Sequence, residues 1–282
     1  MRKFFIRDGV GNQYDLNGEQ SIWLLNPTGL GVAFANQYAD IKQGFFAPLK
    51  TDTWNTQSIV CDFGFVKSAY ATYRSFINWL VTAQDLIIVY QPYGADQFYR
   101  KVKLDYVEKT ELMNGVWLST PASFTSLTPW YKPTTLSVTI QDEDAGAMEY
   151  TFTYDASLVY ASSYNGAYGA EVSPSGHLPA AITLDYTGAI VNPSISIVGK
   201  SSGTEYGKCL INKTASSSVS FSSLYSNSYC LVDGTDATDY ISPATDPFFH
   251  LPTTEPCILK IQSNSTMTGT ATASIYYYYR SV

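Results

Sequence analysis

Few side chains in this sequence could carry catalysis or bind a metal. There are two histidines, His177 in the Pro- and Gly-containing segment 174–179 and His250 between Phe249 and Leu251. A Ser-His-Asp system or a common zinc site would have to use one of them. The sequence contains no GxSxG-type nucleophile turn, so both histidines are interpreted as structural or exposed residues. We therefore predict no catalytic residue and no histidine-based metal site.

Spaced aspartates form a second candidate site. Asp233, Asp236 and Asp239 follow one another at intervals of three, with Asp246 beyond them, and could coordinate a hard cation. Their spacing differs from the alternating pattern of an EF-hand loop, so a solvated acidic loop is the favoured interpretation. The acidic trio 142–144 is interpreted in the same way, as a hairpin connection. Whether a cation binds near the three aspartates stays open, and no cofactor is predicted.

Sugar chemistry is the remaining possibility that the residue types suggest. A glycosidase needs two carboxylates about 5–10 Å apart, and 24 acidic residues permit such a pair without indicating one. Sugar binding without catalysis usually relies on aromatic rings, most often Trp. Residues 134–282 contain no Trp and one arginine, Arg280, although the tyrosine-rich segments 160–168 and 225–229 could supply rings. A carbohydrate-binding module therefore stays the alternative function.

Composition sets the class of protein that must position such residues. The chain has 282 residues, of which 15% are charged and 45% hydrophobic, with 23 tyrosines and a formal net charge of -7. These values exclude a disordered chain or a coiled coil and allow two domains. The acidic balance also argues against a phosphate-backbone binder, since that affinity depends on clustered Lys and Arg. No nucleic acid partner is predicted.

The cysteines and the apolar runs indicate the cellular environment in which the protein folds. The four cysteines are too far apart for a CxxC motif, and we predict buried thiols in a reducing compartment. The N-terminal apolar run, residues 4–6, is much shorter than the core of a signal peptide. No stretch approaches the roughly 20 apolar residues of a membrane span, so no membrane insertion is predicted.

A domain boundary is predicted at the segment 128–133, where Pro129 and Pro133 disfavour helix and central strand alike. Residues 1–133 contain 12 Lys/Arg and 11 Asp/Glu, whereas residues 134–282 contain 5 and 13. All five tryptophans lie in the first part, and the second is rich in Ser, Thr, Gly and Tyr. The two predicted domains therefore differ in chemical character.

The first part is predicted to be mostly β with one helix. Asp8-Gly9 lies between two apolar runs at a spacing that predicts an opening hairpin, and Asn114-Gly115 predicts a type I′ turn. A helix is predicted from Ser68, as N-cap, to about Thr82. Its apolar stripe would consist of Tyr70, Tyr73, Ile77, Leu80 and Val81.

Two strands should follow this helix. Residues 86–90 predict a buried strand. The next strand, 98–106, would place Val102, Leu104 and Tyr106 on one face and Lys101, Lys103 and Asp105 on the other.

The second part repeats a short period-two pattern, which favours an antiparallel sandwich over a parallel sheet. The alternating runs are Leu136/Val138/Ile140, Tyr150/Phe152/Tyr154, Ile182/Leu184/Tyr186 and Cys257/Leu259/Ile261. We predict a mainly β protein with two different β domains.

The order of these features resembles the distal tail proteins of long-tailed bacteriophages, which are hub components of siphophage baseplates. In the first part, the resemblance depends on the opening hairpin, the aromatic helix, the strand ending Val89-Tyr90, the basic strand 100–106 and Pro129-Trp130-Tyr131. In the second part it depends on the segments 188–195, 246–252, 258–261 and 275–280. The segment 251–256 departs from the family pattern, because a glycine-containing turn is often found after the Leu-Pro pair.

This resemblance implies a fold and an assembly. Residues 1–133 would form a β-barrel-like domain with one helix that closes a homohexameric ring, and residues 134–282 a galectin-like antiparallel β-sandwich. The ring would join the tail tube protein to the tail-tip or tail-associated protein, meet the tape measure protein, and carry receptor-binding proteins or side fibres. The protein would be a non-enzymatic virion component of the phage tail tip, assembled in the host bacterial cytoplasm. The alternative is then a carbohydrate-binding module for host-surface recognition.

The ring interface itself is predicted on the basic strand. If the ring closes head to tail, Lys101 and Lys103 would meet acidic residues of a neighbouring copy.

Overall fold

A computed structural model describes residues 2–35, 38–42, 45–48, 53–66, 68–93, 96–111, 117–141, 167–243, 246–263, 267 and 269–282. The chain divides into two compact units, Met1–Lys132 with Tyr278–Val282, and Pro133–Tyr277. Four sequence predictions lie outside the described residues: the Asn114-Gly115 turn, the acidic trio 142–144, the run 150–154 and residues 160–166 of the tyrosine-rich segment. No helix in the described part of the chain is long and apolar enough to cross a membrane.

The first unit is built around an antiparallel sheet with one helix. Its elements are β1 Lys3–Arg7, β2 Gln13–Asp15, β3 Ile22–Thr28, β4 Val32–Ala35, β5 Tyr38–Lys42, β6 Phe45–Pro48, β7 Thr53–Thr56, β8 Ile59–Phe65, α1 Ala69–Thr82, β9 Ile87–Gln91, β10 Phe98–Val107, β11 Leu118–Ser126 and the start of β12 Trp130–Gln141. The predicted opening hairpin is confirmed, because β1 pairs with β2 in antiparallel register. The strand predicted at 86–90 is confirmed as β9.

The sheet of the first unit closes on itself. The hydrogen-bonded order is β2-β1-β9-β10-β11-β8-β3, with all neighbours antiparallel. Leu24 N–H then donates to Leu16 O at 2.9 Å, which brings β3 back to the segment that follows β2. These contacts bring the two ends of the sheet together into a barrel, so no free strand edge is left where they meet.

An insertion leaves this barrel between β3 and β8. Strand β4 pairs with β7, and β5 pairs with β6, so the described residues between 32 and 56 form two successive two-stranded ribbons. We call residues 32–56 the arm. Among the described residues, neither ribbon belongs to the barrel sheet.

Helix α1 covers the barrel core, but its buried face differs from the predicted one. Phe76 is fully buried and Leu80 nearly so, whereas Tyr70 and Val81 are exposed. At 100° per residue, Tyr70 and Val81 lie about 120° and 140° from Phe76 around the helix axis, so they cannot share its stripe. The predicted packing of Tyr73, Ile77 and Leu80 is confirmed.

Ser68 is at the predicted N-cap position, but it does not cap the helix with its side chain. Ser68 precedes α1 with φ 47°, in the left-handed region, and its hydroxyl makes no capping hydrogen bond. A capping side chain needs an extended backbone to reach the first free N–H groups of the helix. Ser68 instead contributes its carbonyl, which accepts from Thr72 N–H at 3.0 Å.

Strand β10 follows the predicted alternation for only part of its length. Val102 is buried and Lys103 exposed, as predicted. A register shift against β11 falls between Leu104 and Tyr106 and reverses the alternation, so Tyr106 is exposed rather than buried.

The second unit contains two antiparallel sheets. Its elements are the end of β12, β13 Ala167–Val172, β14 Leu178–Thr187, β15 Ser194–Gly199, β16 Glu205–Leu210, β17 Ser218–Leu224, β18 Asn227–Val232, β19 Thr235–Asp236, a 3₁₀ turn Thr238–Tyr240, β20 Cys257–Gln262 and most of β21 Thr270–Tyr279. One sheet has the order β12-β13-β20-β15-β16, and the other β21-β14-β17-β18-β19. The predicted class, mainly antiparallel β, is confirmed.

The period-two runs of the second unit mark its core. Ile182, Leu184 and Tyr186 of β14 are at most 1% exposed, and so are the alternating residues of β20. The four cysteines, Cys61, Cys209, Cys230 and Cys257, are free thiols and all are buried, as predicted.

Candidate assembly surface

The two lysines predicted at the ring interface lie on the outward face of β10. Lys101 pairs in register with Ile87 of β9, and Lys103 with Thr125 of β11. The side chain of Lys103 is exposed, whereas Lys101 is half-buried. The backbone of Lys101 also joins the segment after β11, since its N–H donates to Thr128 Oγ1 at 3.1 Å and its carbonyl accepts from Leu127 N–H at 2.9 Å. Strand alternation therefore brings the two cations to one surface.

Lys103 borders an apolar groove in the first unit. The groove has a volume of about 440 Å³ and lies between the end of α1 and β10. Leu80, Leu86 and Val102 line it as buried residues, while Val81 and Leu127 are 61% and 59% exposed. Exposed apolar side chains gathered at one place are typical of protein interaction sites. The groove with Lys103 is therefore the candidate assembly surface.

In the candidate cation site of the second unit, the first aspartate binds backbone N–H groups of a neighbouring loop. Asp233 accepts hydrogen bonds from the backbone N–H groups of Ser216, Ser217 and Ser218 at 2.8–2.9 Å. These bonds hold the pKa of Asp233 well below its usual range, because they stabilise the ionised carboxylate. The carboxylate thus fixes the loop before β17.

The neighbouring acids do not complete a metal site. Asp236 accepts from the backbone N–H and hydroxyl of Thr238, and these bonds lower its pKa. Asp239 is exposed. Throughout the described ranges, no three His, Cys, Asp or Glu side chains form a group that could hold a metal ion.

The histidines are placed as structural or exposed residues. His177 is exposed, just before β14. His250 is half-buried and stacks on Tyr225, with ring centroids 4.1 Å apart and an angle of 15° between the planes. Burial lowers the pKa of His250, so its ring favours the neutral form.

The exposed tyrosines of the second unit bear on the sugar-binding alternative. Tyr225 and Tyr240 are 64% and 47% exposed. His250 covers one face of the Tyr225 ring, and Lys213 Nζ lies 4.7 Å from the centroid of the Tyr240 ring. Each ring therefore already has a protein group over one of the faces on which a sugar would stack.

Sequence reasoning missed one residue of the first unit. Arg100 of β10 is fully buried, and its guanidinium carbon lies 4.3 Å from the centroid of the Trp130 ring. Burial lowers its pKa to about 10, so the side chain is still a cation at neutral pH. The signal was present, because Arg100 has the same parity along the strand as buried Val102.

Comparisons with known proteins agree with this fold. Residues 3–127 match the family model described as "Distal tail protein, N-terminal domain". A chain in the structure of the phage P2 baseplate, in its activated conformation with Ca, is 13% identical, with a TM-score of 0.64 and coverage of 100% of both chains. The SPP1 Dit (gp 19.1) protein is 11% identical, with a TM-score of 0.58 over 97% of this chain and 98% of that one. The structural likenesses show the fold. A comparison with curated protein sequences finds no match.

Proposed function

Residues 3–127 match the family model of the distal tail protein N-terminal domain, and from this premise we propose that the chain is a distal tail protein that acts as a homohexameric hub without catalytic activity. It is a structural component of the phage tail tip. Residues 1–133 would form the ring, and residues 134–282 a galectin-like domain outside it. The excess of acidic over basic residues lies in the second part, which has 13 Asp/Glu against 5 Lys/Arg, and this supports the arrangement because like charges of neighbouring copies would repel one another near the ring axis.

The observation that carries the ring proposal is the groove beside Lys103. A cyclic ring needs two different complementary surfaces on each copy, one of which meets the other on the next copy. Val81 and Leu127 leave apolar surface in solvent at this groove, and Lys103 adds an exposed cation. A second copy of the chain would cover the apolar rim and place acidic side chains near Lys103 and Lys101.

The proposal extends to partners. A tail-tip component associates with other tail and baseplate proteins. We propose that these are the tail tube protein, the tape measure protein, the tail-tip or tail-associated protein, and receptor-binding proteins or side fibres. The virion is the site of function, and assembly would occur in the host bacterial cytoplasm.

Light scattering after size exclusion, with negative-stain imaging, tests the ring. The expected species has six times the 31.1 kDa mass of one chain and a central channel. A protein with the mass of one chain at every concentration, with and without tail tube protein, would contradict the proposal.

A charge-reversal pair tests the surface. Lys103→Glu should weaken each contact by at least about fivefold, because the loss of an attraction of up to about 1 kcal/mol accounts for about fivefold and the new repulsion adds to it. Lys109→Glu is the matched control, since it makes the same charge change at another exposed position of the first unit. Equal loss of rings in both variants would remove Lys103 from the interface.

A further inference from the structure

Two buried cysteines of the second unit face each other from opposite sheets. Cys209 lies on β16, which pairs with β15 in one sheet, and Cys230 lies on β18, which pairs with β17 in the other. Both side chains are fully buried, and both belong to the inward-facing residues of their strands. The thiol of Cys209 forms a hydrogen bond with the sulfur of Cys230. The fold therefore brings together two thiols from separate sheets.

The chain that follows β19 ties the two sheets to each other beside this pair. Ala237 N–H donates to Cys230 O at 2.8 Å, and a few residues later Ser242 N–H donates to Leu210 O at 2.9 Å. One short segment is thus bonded to Cys230 and to the residue after Cys209. Stacked sheets are usually about 10 Å apart, whereas a disulfide needs Cα atoms about 4.4–6.8 Å apart. The local approach of the sheets is what a bond between these two cysteines requires.

Strand register rules out Cys257 as the partner of Cys209. Ile195 of β15 pairs with Cys209 on one side and with Ile261 of β20 on the other. Cys257 lies at the start of β20, one turn of the strand register away from Ile261, so its Cα is about 16 Å from that of Cys209. This distance is beyond the reach of a disulfide. Cys61 belongs to the first unit. Cys209 and Cys230 are thus the pair that the fold places in contact.

The contact also gives the two thiols different acidities. The hydrogen bond from Cys209 lowers the pKa of Cys230, because it stabilises the Cys230 thiolate. The same hydrogen bond, together with burial, raises the pKa of Cys209. Cys230 is therefore the sulfur that ionises first, and the thiolate is the nucleophilic form of a cysteine.

We propose that Cys209 and Cys230 are a modification site, at which a small peroxide forms a disulfide between the two sheets of the second unit. The Cys230 thiolate attacks one oxygen of hydrogen peroxide, the O–O bond breaks, and a sulfenic acid and hydroxide result. The Cys209 sulfur then attacks the Cys230 sulfur, the S–O bond breaks, and the S–S bond forms. Together the two thiols lose two electrons and two protons, and the peroxide becomes two water molecules.

The setting of this reaction rests on the proposed function. A tail-tip protein would be made in the host cytoplasm, where thiols are kept reduced, and would meet oxidants after release of the virion. The disulfide would then hold the two sheets together outside the cell. A cross-link that closes a loop of about 20 residues stabilises a fold mainly by restricting its unfolded chain.

Thiol counting and peptide mapping of the full chain test the bond. Protein purified under reducing conditions and then treated with hydrogen peroxide should release two thiols on unfolding instead of four, and the mapped cross-link should join Cys209 to Cys230. Cys209→Ala and Cys230→Ala should abolish the cross-link. Cys257→Ala is the matched control, since it removes another buried cysteine of the same unit and should keep the cross-link. Four free thiols after oxidation, or a different pairing, would overturn the proposal.

Melting of the wild-type chain measures what the bond does. The melting temperature of the second unit should rise by about 5–10 °C on oxidation, and a dithiol reductant should reverse the rise. An unchanged or lower melting temperature in protein whose bond has formed would overturn the stabilising role of the bond. This measurement and the mapping of wild-type protein decide even if the alanine variants fail to fold.

Neither measurement needs rings, so the two proposals fail separately. A protein that forms the disulfide but never assembles supports the modification site and refutes the proposed function. A protein that assembles but keeps four free thiols after oxidation refutes only the disulfide.

Discussion

Replacement of Phe76 by alanine should destabilise the first unit by about 4 kcal/mol. Phe76 is fully buried on α1 and meets Tyr14 and Phe63 edge to face, at ring-centroid distances of 5.2 and 5.0 Å. Phe65 and Trp79 lie within 6.0 Å. Truncation of a buried Phe costs about 3–5 kcal/mol, and the loss of two favourable ring pairs places this site in the upper half of that range.

Urea unfolding followed by tryptophan fluorescence measures this loss. All five tryptophans lie within residues 1–133, so the signal reports the first unit. With a slope of about 2 kcal/mol per M, the midpoint should fall by about 2 M. Val81→Ala is the control on the same helix, and we expect a change within about 0.5 kcal/mol because Val81 is 61% exposed. A loss below about 1 kcal/mol for Phe76→Ala, or equal losses for both variants, would refute the assignment of the buried face.

Three further outcomes are expected. Gly29→Ala should cost at least about 2 kcal/mol in unfolding experiments, because it adds positive-φ strain and a contact with Ser58 O. Gly31→Ala, with open space at its Cβ, should cost little, and equal effects of the two substitutions would contradict the close approach of Gly29 to Ser58. The hydrogen bonds of Asp233 stabilise the folded protein fully at pH values above 3.8, the ordinary pKa of the group, and this stability is lost as the pH falls towards the lower pKa of the folded state. The melting temperature, followed by circular dichroism, should therefore depend less on pH below 4 in Asp233→Asn than in the wild type. Identical pH profiles of the two proteins would argue against this role. Ellman's reagent should label no thiol in the native protein within minutes and four after unfolding, since all four cysteines are buried, and rapid native labelling would contradict their burial.

The elements that the sequence predicted best are those with local rules. The opening hairpin needed only a turn between two apolar runs, and β14 and β20 needed only apolar residues at every second position over five residues. The helix was also found, but its stripe was misassigned, because Tyr70 and Val81 are apolar enough to fit a spacing of three or four. Phe76 lies at the centre of the true stripe, between Tyr73 and Leu80. Several apolar stripes are compatible with the spacing of this helix, and packing against the barrel determines which of them is buried.

Other features could not be predicted because they depend on contacts between distant residues. The ribbons of the arm have strands of four or five residues, too short for a clear period. The alternation of buried and exposed side chains in β10 reverses after Leu104 because the register with β11 shifts there. The parity of Arg100 along β10 indicated its inward face, but its partner Gly29 lies 71 residues before it, and a basic residue is normally assigned to solvent.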